Sequence, residues 1–262
     1  MTPIARSWGD FTAFYYGKEM DTALLVQGLL EVPVEAKKGR GGIRLLGMGE
    51  KRLVCRQYLH GGLFRALTKD LFLSDRRCRR EAEILAYLGR QGFPVAEAVC
   101  ALSENRGLTK RLYLVTGLIE DSQDLLDYLN QSGPRQRLRT IKRFAQLLWR
   151  LEQAGIFHPD LHLNNVLVTP KKELLFLDFD KACRKAIAEK DVESMLWRLA
   201  RFADKMEKQG TFRAQQREKM LFLRTYERLS GHGIVAVMEK KSVRKGLLHK
   251  IGWAVESFLY GR

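Results

Sequence analysis

The sequence predicts an α+β protein in which a β-rich front is followed by an α-rich back. Two observations support this class. Short apolar segments separated by glycine-containing turns dominate the first part of the chain, and amphipathic helical patterns dominate the rest. We therefore expect a β-rich region over residues 1–117, a short connector over 118–123 and an α-rich region over 124–262. No internal repeat or low-complexity linker interrupts this order.

A three-stranded meander is predicted in the front, because strand-like segments alternate there with turns. Its strands are LLEVPVEA (29–36), IRLLGM (43–48) and RLVCRQY (52–58), with the glycine-rich turn KKGRGG (37–42) between the first two. The spacing of apolar residues then predicts a helix over 75–90. Two further strands are expected over 93–107 and 108–119.

Helical periodicity dominates the back of the chain. The segment EDSQDLLDYL opens the first predicted helix, with Asp121 or Ser122 as its N-cap. The later helices are predicted over 135–154, 191–210 and 213–231, and over a last segment from about residue 234 to the end.

The composition is strongly basic. Lys and Arg number 46 against 30 Asp and Glu, for a net charge of +16. Such a surplus favours anionic partners such as nucleic acid, acidic lipid or a phosphorylated substrate. We expect no secretory signal at the start and no membrane-spanning segment, since no apolar run approaches about 20 residues. The four scattered cysteines predict free thiols in a reducing cytosol.

One stretch, residues 155–180, gathers carboxylates, histidines and asparagines around short apolar runs. Its segments NNVLV and ELLFLDF flank TPKKE, whose proline and polar residues suit a hairpin turn. Folding about the two lysines sets Asn165 opposite Leu177 or Asp178. One Asp and one Asn oxygen suit Mg²⁺, which completes its shell with water and substrate phosphates. Asp160, in the loop entering the hairpin, is placed to act as base for an acceptor hydroxyl.

Two other interpretations of this stretch remain open. His158, Asp160 and His162 alternate along the chain and could mark a Zn or Mn hydrolase site, although no further His or Cys cluster completes the shell. The polar residues could also simply cap turns. The hairpin favours phosphoryl transfer over both, because it brings a carboxylate and an amide oxygen to the same end of one ribbon.

The same stretch resembles two motifs of the protein-kinase-like superfamily. HPDLHLNN (158–165) resembles the catalytic loop H-x-D-x-x-x-x-N, and LDFD (177–180) resembles D-F-G. The resemblance implies a bilobal protein-kinase-like fold. Residues 1–117 would be a nucleotide-binding N-lobe, 118–123 a hinge, and 124–262 a C-lobe with the catalytic loop and the acceptor site.

The resemblance also implies roles for individual residues. Asp160 would be the catalytic base, His158 a buried organiser of the loop, and His162 would stand where protein kinases usually carry Lys. Asn165 and Asp178 would bind Mg²⁺.

ATP-binding residues are implied in the front of the chain. Arg56 in LVCR holds the place of Lys in V-A-I-K, Glu81 would pair with it, and Glu120 would lie in the hinge that carries the adenine. The glycine turn GRGG would let backbone amides approach the phosphates through Gly39, Gly41 and Gly42.

Three departures from the superfamily pattern stand out. Arg56 keeps the charge of Lys but presents a planar fork. Arg44 interrupts the usual glycine pattern. Asp180 replaces the last glycine of D-F-G, which puts in doubt any activation-loop flipping and predicts a second acidic group near the metal.

A narrower resemblance covers residues 37–182. Within it, three segments together resemble the lipopolysaccharide core kinases of Gram-negative bacteria, and most of all the 3-deoxy-D-manno-octulosonic acid (Kdo) kinases. These segments are CRQYLHGGLFRALTKDLFL (55–73), REAEILAYLGRQGFPVAEAV (80–99) and D-F-D. The implied reaction transfers the γ-phosphate of ATP to a Kdo hydroxyl on a lipid A precursor. It would take place at the cytoplasmic face of the inner membrane.

The implied partners are an acidic glycolipid and an anionic membrane surface, and no nucleic acid is expected because basic residues do not interleave with aromatics. Basic residues over 240–245 precede an apolar helical stripe over 247–259, a candidate membrane contact, although the stripe could instead pack on its own lobe. The alternative functions are a core heptose kinase, a protein kinase, and a non-catalytic pseudokinase module.

Overall fold

The computed structural model of the protein describes residues 2–34, 42–60 and 70–241. The chain divides into two compact units. The first contains Met1–Leu125 with Asn164–Arg184, and the second contains Leu126–Leu163 with Lys185–Arg262. Strands dominate the first unit and helices the second, so the predicted α+β class with a β-rich front and an α-rich back is confirmed.

The first unit is built on an antiparallel sheet that has six strands among the described residues. These are β1 (Ile4–Trp8), β2 (Phe11–Tyr15), β3 (Ile43–Met48), β4 (Lys51–Gln57), β5 (Ala98–Arg106) and β6 (Thr109–Gly117). Their spatial order is β1-β2-β5-β6-β4-β3. The predicted hairpin of β3 and β4 and the predicted strands β5 and β6 are therefore confirmed, whereas β1 and β2 were not expected from the sequence.

Two helices cover this sheet, α1 (Thr22–Glu31) and α2 (Arg76–Arg90). Helix α2 confirms the prediction over 75–90, but α1 shows that the strand predicted over 29–36 is wrong within the described residues. An Asp21 carboxylate oxygen caps α1 by accepting the Ala23 and Leu24 amides. Helix α1 ends at Glu31, because Val32 precedes a proline and is held in an extended conformation.

The core of the first unit lies between the sheet and α1. Alternate residues of β2 point into it, as do Leu25, Val26 and Leu29 of α1. Cys55 and Cys100 are buried there, and burial raises the pKa of the Cys55 thiol to about 12. All four cysteines are free, as predicted.

A small second sheet completes the first unit. It consists of β7 (Gln123–Asp124), β9 (Val166–Val168) and β10 (Leu174–Phe176), in the order β10-β9-β7. Because Gln123 and Asp124 pair with β9, the next helix, α3 (Leu125–Gln131), begins later than predicted. The Asp121 or Ser122 cap is therefore wrong: Asp121 has a left-handed backbone, and the Ser122 hydroxyl donates to the Ile119 carbonyl.

The second unit is mainly helical. After α3 its helices are α4 (Pro134–Gln153), α5 (Glu189–Lys208) and α6 (Gln216–Ser230), with residues 234–241 also helical. The remaining elements are the two-residue strands β8 (Ile156–Phe157) and β11 (Cys183–Arg184), of which β11 belongs to the first unit, and a short 3-10 helix at Leu163–Asn165. Helices α4 and α6 pack together and share an ion pair, in which Arg137 Nε donates to Glu218 at 2.6 Å. Within the described residues, no helix is both long and apolar enough to cross a membrane.

Candidate active site

The predicted hairpin forms from β9 and β10. Val168 faces Leu174, Val166 faces Phe176, and the Leu177 amide donates to the Asn165 carbonyl at 2.8 Å. The expected pairing of Asn165 with Leu177 is thus confirmed. The register is set locally, because the apolar strands are short and the turn between them spans few residues.

Asn165 and Asp178 therefore leave the same open end of this hairpin. The Asn165 side chain is buried, and Asp178 has a left-handed backbone with φ 58°. Only glycine adopts this left-handed conformation at no cost. Asp tolerates it better than most other residues do, so the carboxylate at this position carries a moderate conformational cost. An amide oxygen and a carboxylate are ligands of the kind that Mg²⁺ takes.

Arg56 connects this end of the hairpin to helix α2. Its Nη2 lies 2.7 Å from each carboxylate oxygen of Glu81, and its Nη1 donates to Asp178 Oδ1 at 3.0 Å. The Glu81 side chain is only 1% exposed, whereas Arg56 remains 30% exposed. The structure therefore brings together Arg56, Glu81 and Asp178, with the guanidinium between a buried and a more exposed carboxylate.

The charge states of this group follow from its burial. Burial alone would lower the pKa of Arg56, but the charges of Glu81, Tyr58 and Asp178 together outweigh it, and the pKa is raised. Burial also raises the pKa of Tyr58 well above its ordinary range, so its hydroxyl stays protonated and donates to Glu81. Arg56 is a permanent cation held in one orientation by a buried carboxylate.

Asp180, the residue in place of the last glycine of D-F-G, has its own cationic partner. Arg77 donates to it through Nε, at 2.6 Å, and through Nη2. The hydrogen bonds to Asp180 raise the pKa of Arg77. The guanidinium carbons of Arg56 and Arg77 lie 5.1 and 5.2 Å from the centre of the Tyr58 ring, and both distances are within the range of a cation–π interaction. The extra acidic group expected near the metal is thus paired with Arg77.

The loop with the predicted base belongs to the second unit, where helix α5 supports it. The His158 amide contacts Met195 Sδ at 3.3 Å. Asp160 Oδ1 accepts from Arg198 through Nε at 3.0 Å and Nη2 at 2.7 Å. The rings of His162 and Phe202 stack with their centres 4.6 Å apart.

These contacts follow a simple pattern. Alternate loop residues 158, 160 and 162 meet positions i, i+3 and i+7 of α5, which lie on one face of a helix. One stripe of α5 thus supports the whole loop.

A Zn or Mn site at His158, Asp160 and His162 finds no support in this arrangement. In the ranges that the structure describes, no group of three or more His, Cys, Asp or Glu side chains could hold a metal ion. Asp160 is bonded to Arg198, and His162 stacks on Phe202. The hydrolase interpretation is therefore wrong.

The remaining predicted residues lie elsewhere or cannot be described. Glu120 is exposed and accepts from Arg52 at 3.2 Å, both on the surface of the first unit. Gly42 lies directly before β3, while Gly39 and Gly41 are outside the described residues. Residues 61–69 of the segment CRQYLHGGLFRALTKDLFL and the apolar stripe at 247–259 are outside them as well.

Sequence reasoning missed three residues of these groups: Tyr58, Arg77 and Arg198. Arg77 could have been found, because it stands four positions before Glu81 and so shares its face of α2. Arg198 could have been found from the spacing of Met195, Arg198 and Phe202 along a predicted helix. Tyr58 carried no signal beyond its place in a strand.

Among solved structures, a MAP kinase from Leishmania major aligns with 60% of this chain and 49% of its own, at 18% identity. Its TM-score of 0.43 is too low to bear on the fold.

Curated relatives match more closely in sequence. A 3-deoxy-D-manno-octulosonic acid kinase from Vibrio parahaemolyticus is 30% identical over 151 residues, which are 56% of this chain and 62% of that protein. Another, from Xanthomonas oryzae pv. oryzae, is 28% identical over 205 residues, 77% of this chain and 81% of its own. The match with the Vibrio protein thus spans less than two thirds of its length.

A family model matches a similarly long part of the chain. The model of the lipopolysaccharide kinase (Kdo/WaaP) family matches residues 26–226, which include Arg56, Asp160, Asp178 and Arg198. Because this match covers well over half of the length of this chain, the chain belongs to the lipopolysaccharide kinase (Kdo/WaaP) family.

Proposed function

We propose that this protein is an ATP-dependent kinase that phosphorylates a hydroxyl of a Kdo residue on a lipid A precursor. Family membership and the named activity of the Vibrio and Xanthomonas relatives support this activity. The main structural support for this activity is the Arg56 guanidinium, which buried Glu81 holds next to Asp178. A fixed cation next to a potential metal ligand is the arrangement that nucleotide phosphates require.

ATP would bind to the first unit. Arg56 would contact its phosphates, with the glycines at 39, 41 and 42 covering them and the chain around Glu120 carrying the adenine. Asn165 and Asp178 would hold Mg²⁺, which when bound neutralises charge on the phosphates. Glu81 keeps Arg56 in place without touching the nucleotide.

Asp160 would act as the base in the second unit. The lone pair of the acceptor hydroxyl forms a new bond to the γ-phosphorus. The bond from that phosphorus to the β,γ-bridging oxygen breaks, and its electron pair leaves with ADP. The hydroxyl proton passes to the Asp160 carboxylate. His158 and His162 would keep the loop in place, through the buried position of the first and the stacking of the second on Phe202.

We also propose that the protein works at the cytoplasmic face of the inner membrane, where it binds an anionic surface peripherally. The net charge of +16 supports this, since each basic residue near an anionic surface contributes about 1 kcal/mol. Flotation with anionic and with neutral vesicles tests the idea. Binding to anionic vesicles should weaken as salt is raised; equal recovery with both vesicle types would contradict it.

The decisive experiment for the activity is the mass of the acceptor before and after reaction. A Kdo-bearing lipid A precursor incubated with the protein and MgATP should gain one phosphate group, and fragmentation should place it on the Kdo. A parallel incubation with heptosylated core distinguishes a heptose kinase. Phosphorylation of the heptose alone, or of neither acceptor, would reject the proposed function.

A further inference from the structure

We infer that Arg198 binds the carboxylate of the acidic sugar acceptor while it also holds the base Asp160. The inference deepens the proposed function and rests on it. Its starting point is that Arg198 uses only part of its hydrogen-bonding capacity on Asp160. Both bonds run to a single oxygen, Oδ1, from Nε and Nη2.

The remaining donors of Arg198 form a second binding edge. A guanidinium has five N–H groups in one plane, and three of them are left after the bonds to Asp160. The bonds to Asp160 do not use Nη1, and the side chain is 30% exposed. The edge formed by Nη1 and Nη2 matches the two oxygens of a carboxylate, which favours an anion over a neutral hydroxyl.

The proposed acceptor carries both a carboxylate for Arg198 and a hydroxyl for Asp160. Kdo is a sugar acid, so it presents one carboxylate together with several hydroxyls. A carboxylate on the open edge of Arg198 would keep the sugar next to Asp160, which accepts the proton from one of its hydroxyls. One arginine would thus align the base and select an acidic sugar.

The test compares two acceptors on three variants of the full-length protein. The acceptors are the Kdo-bearing lipid A precursor and the same molecule with its Kdo carboxyl converted to the methyl ester. The variants are Arg198→Gln, Arg198→Lys and the control Arg201→Gln. Arg201 is exposed and lies one turn further along α5. Binding of a fluorescent ATP analogue checks that each variant is folded.

For the wild type and for Arg201→Gln, we expect the ester to raise the acceptor KM by about 10- to 100-fold, the loss of one charge-assisted bidentate contact. For Arg198→Gln, the KM should be high and equal for both acceptors. The effect of the ester on the KM of Arg198→Lys should lie between these two cases, because lysine keeps the positive charge but lacks the paired N–H groups of the guanidinium. The kcat of Arg198→Gln should fall on both acceptors, since Asp160 loses its two hydrogen bonds from Arg198.

Other results would overturn the inference. If Arg198 only supports Asp160, Arg198→Gln lowers kcat and leaves the KM ratio of the two acceptors as in the wild type. If the wild type turns over acid and ester with equal KM, the anion site is absent even though the kinase activity stands; this comparison needs no variant. If the wild type phosphorylates neither acceptor, the proposed function itself fails.

Discussion

Two arginine–carboxylate pairs in this protein differ in geometry and in surroundings. In the first unit, Glu81 is 1% exposed and accepts from both Arg56 and Tyr58. In the second unit, Asp160 and Arg198 are 31% and 30% exposed. A buried carboxylate cannot exchange its partner without a large desolvation cost, whereas a half-open pair can. The first pair is therefore suited to fixing a cation, and the second to taking part in a reaction.

The largest expected effect concerns the open pair. Asp160→Asn keeps the size of the side chain and removes the base, so kcat should fall by about 10²- to 10⁴-fold while nucleotide binding is unchanged. Steady-state phosphorylation and titration with a fluorescent ATP analogue measure the two quantities. Asp127→Asn, an exposed carboxylate of α3, is the matched control and should behave as wild type. Undiminished turnover by Asp160→Asn would refute its role as base.

A smaller effect, on stability, is expected for the buried pair. Arg56→Met leaves the Glu81 charge buried without its main partner and should lower the free energy of unfolding by about 3–5 kcal/mol. Combining it with Glu81→Leu should recover most of that loss, because the stranded charge is gone. Urea denaturation of the single and double variants gives the values.

The surface pair Arg52–Glu120 provides the control for this prediction. Both side chains are more than half exposed, so Arg52→Met should change the free energy of unfolding by less than about 1 kcal/mol. Equal losses for Arg56→Met and Arg52→Met would mean that burial does not distinguish the two pairs.

The smallest effect concerns a third pair, which is buried like the first but belongs to the second unit. Burial of Glu218 alone would raise its pKa, but the hydrogen bonds from Arg137 and the Gln215 amide, together with the arginine charges, outweigh it, and the pKa lies below its ordinary value of 4.5. The unfolded state therefore takes up the proton first as pH falls. The stabilisation is present above pH 4.5 and is lost as pH falls through the lower folded value, with a slope of at most about 1.4 kcal/mol per pH unit.

Glu218→Gln removes this titration. Its unfolding free energy should be lower than that of the wild type at neutral pH and should decline less steeply between about pH 5 and pH 3. Urea denaturation at a series of pH values measures the slopes. Parallel slopes for the two proteins would show that Glu218 does not titrate differently in the folded state.

Local patterns were the predictable part of this protein. The hairpin register at Asn165 and the bounds of α2, α4, α5 and α6 follow from turn chemistry and apolar spacing, to within a few residues. The errors have equally physical causes. The segment at 29–36 has the apolar composition of a strand, yet its first residues belong to helix α1. Asp21 caps the start of that helix, and the helix ends just before Pro33. The predicted cap at Asp121 failed because the residues after it joined β9.

The amino-acid sequence by itself determined the α+β class, the catalytic-loop and D-F-D motifs, and the hairpin end from which Asn165 and Asp178 both leave, since all of these depend on neighbours within a few turns or strands. Only the tertiary structure decided which cation meets which carboxylate. Arg77 and Asp180 are 103 residues apart, and Arg198 and Asp160 are 38 apart. Such pairs form where the packing of strands and helices brings distant residues together, and the chain holds 46 cations and 30 acidic residues that could pair in many other ways.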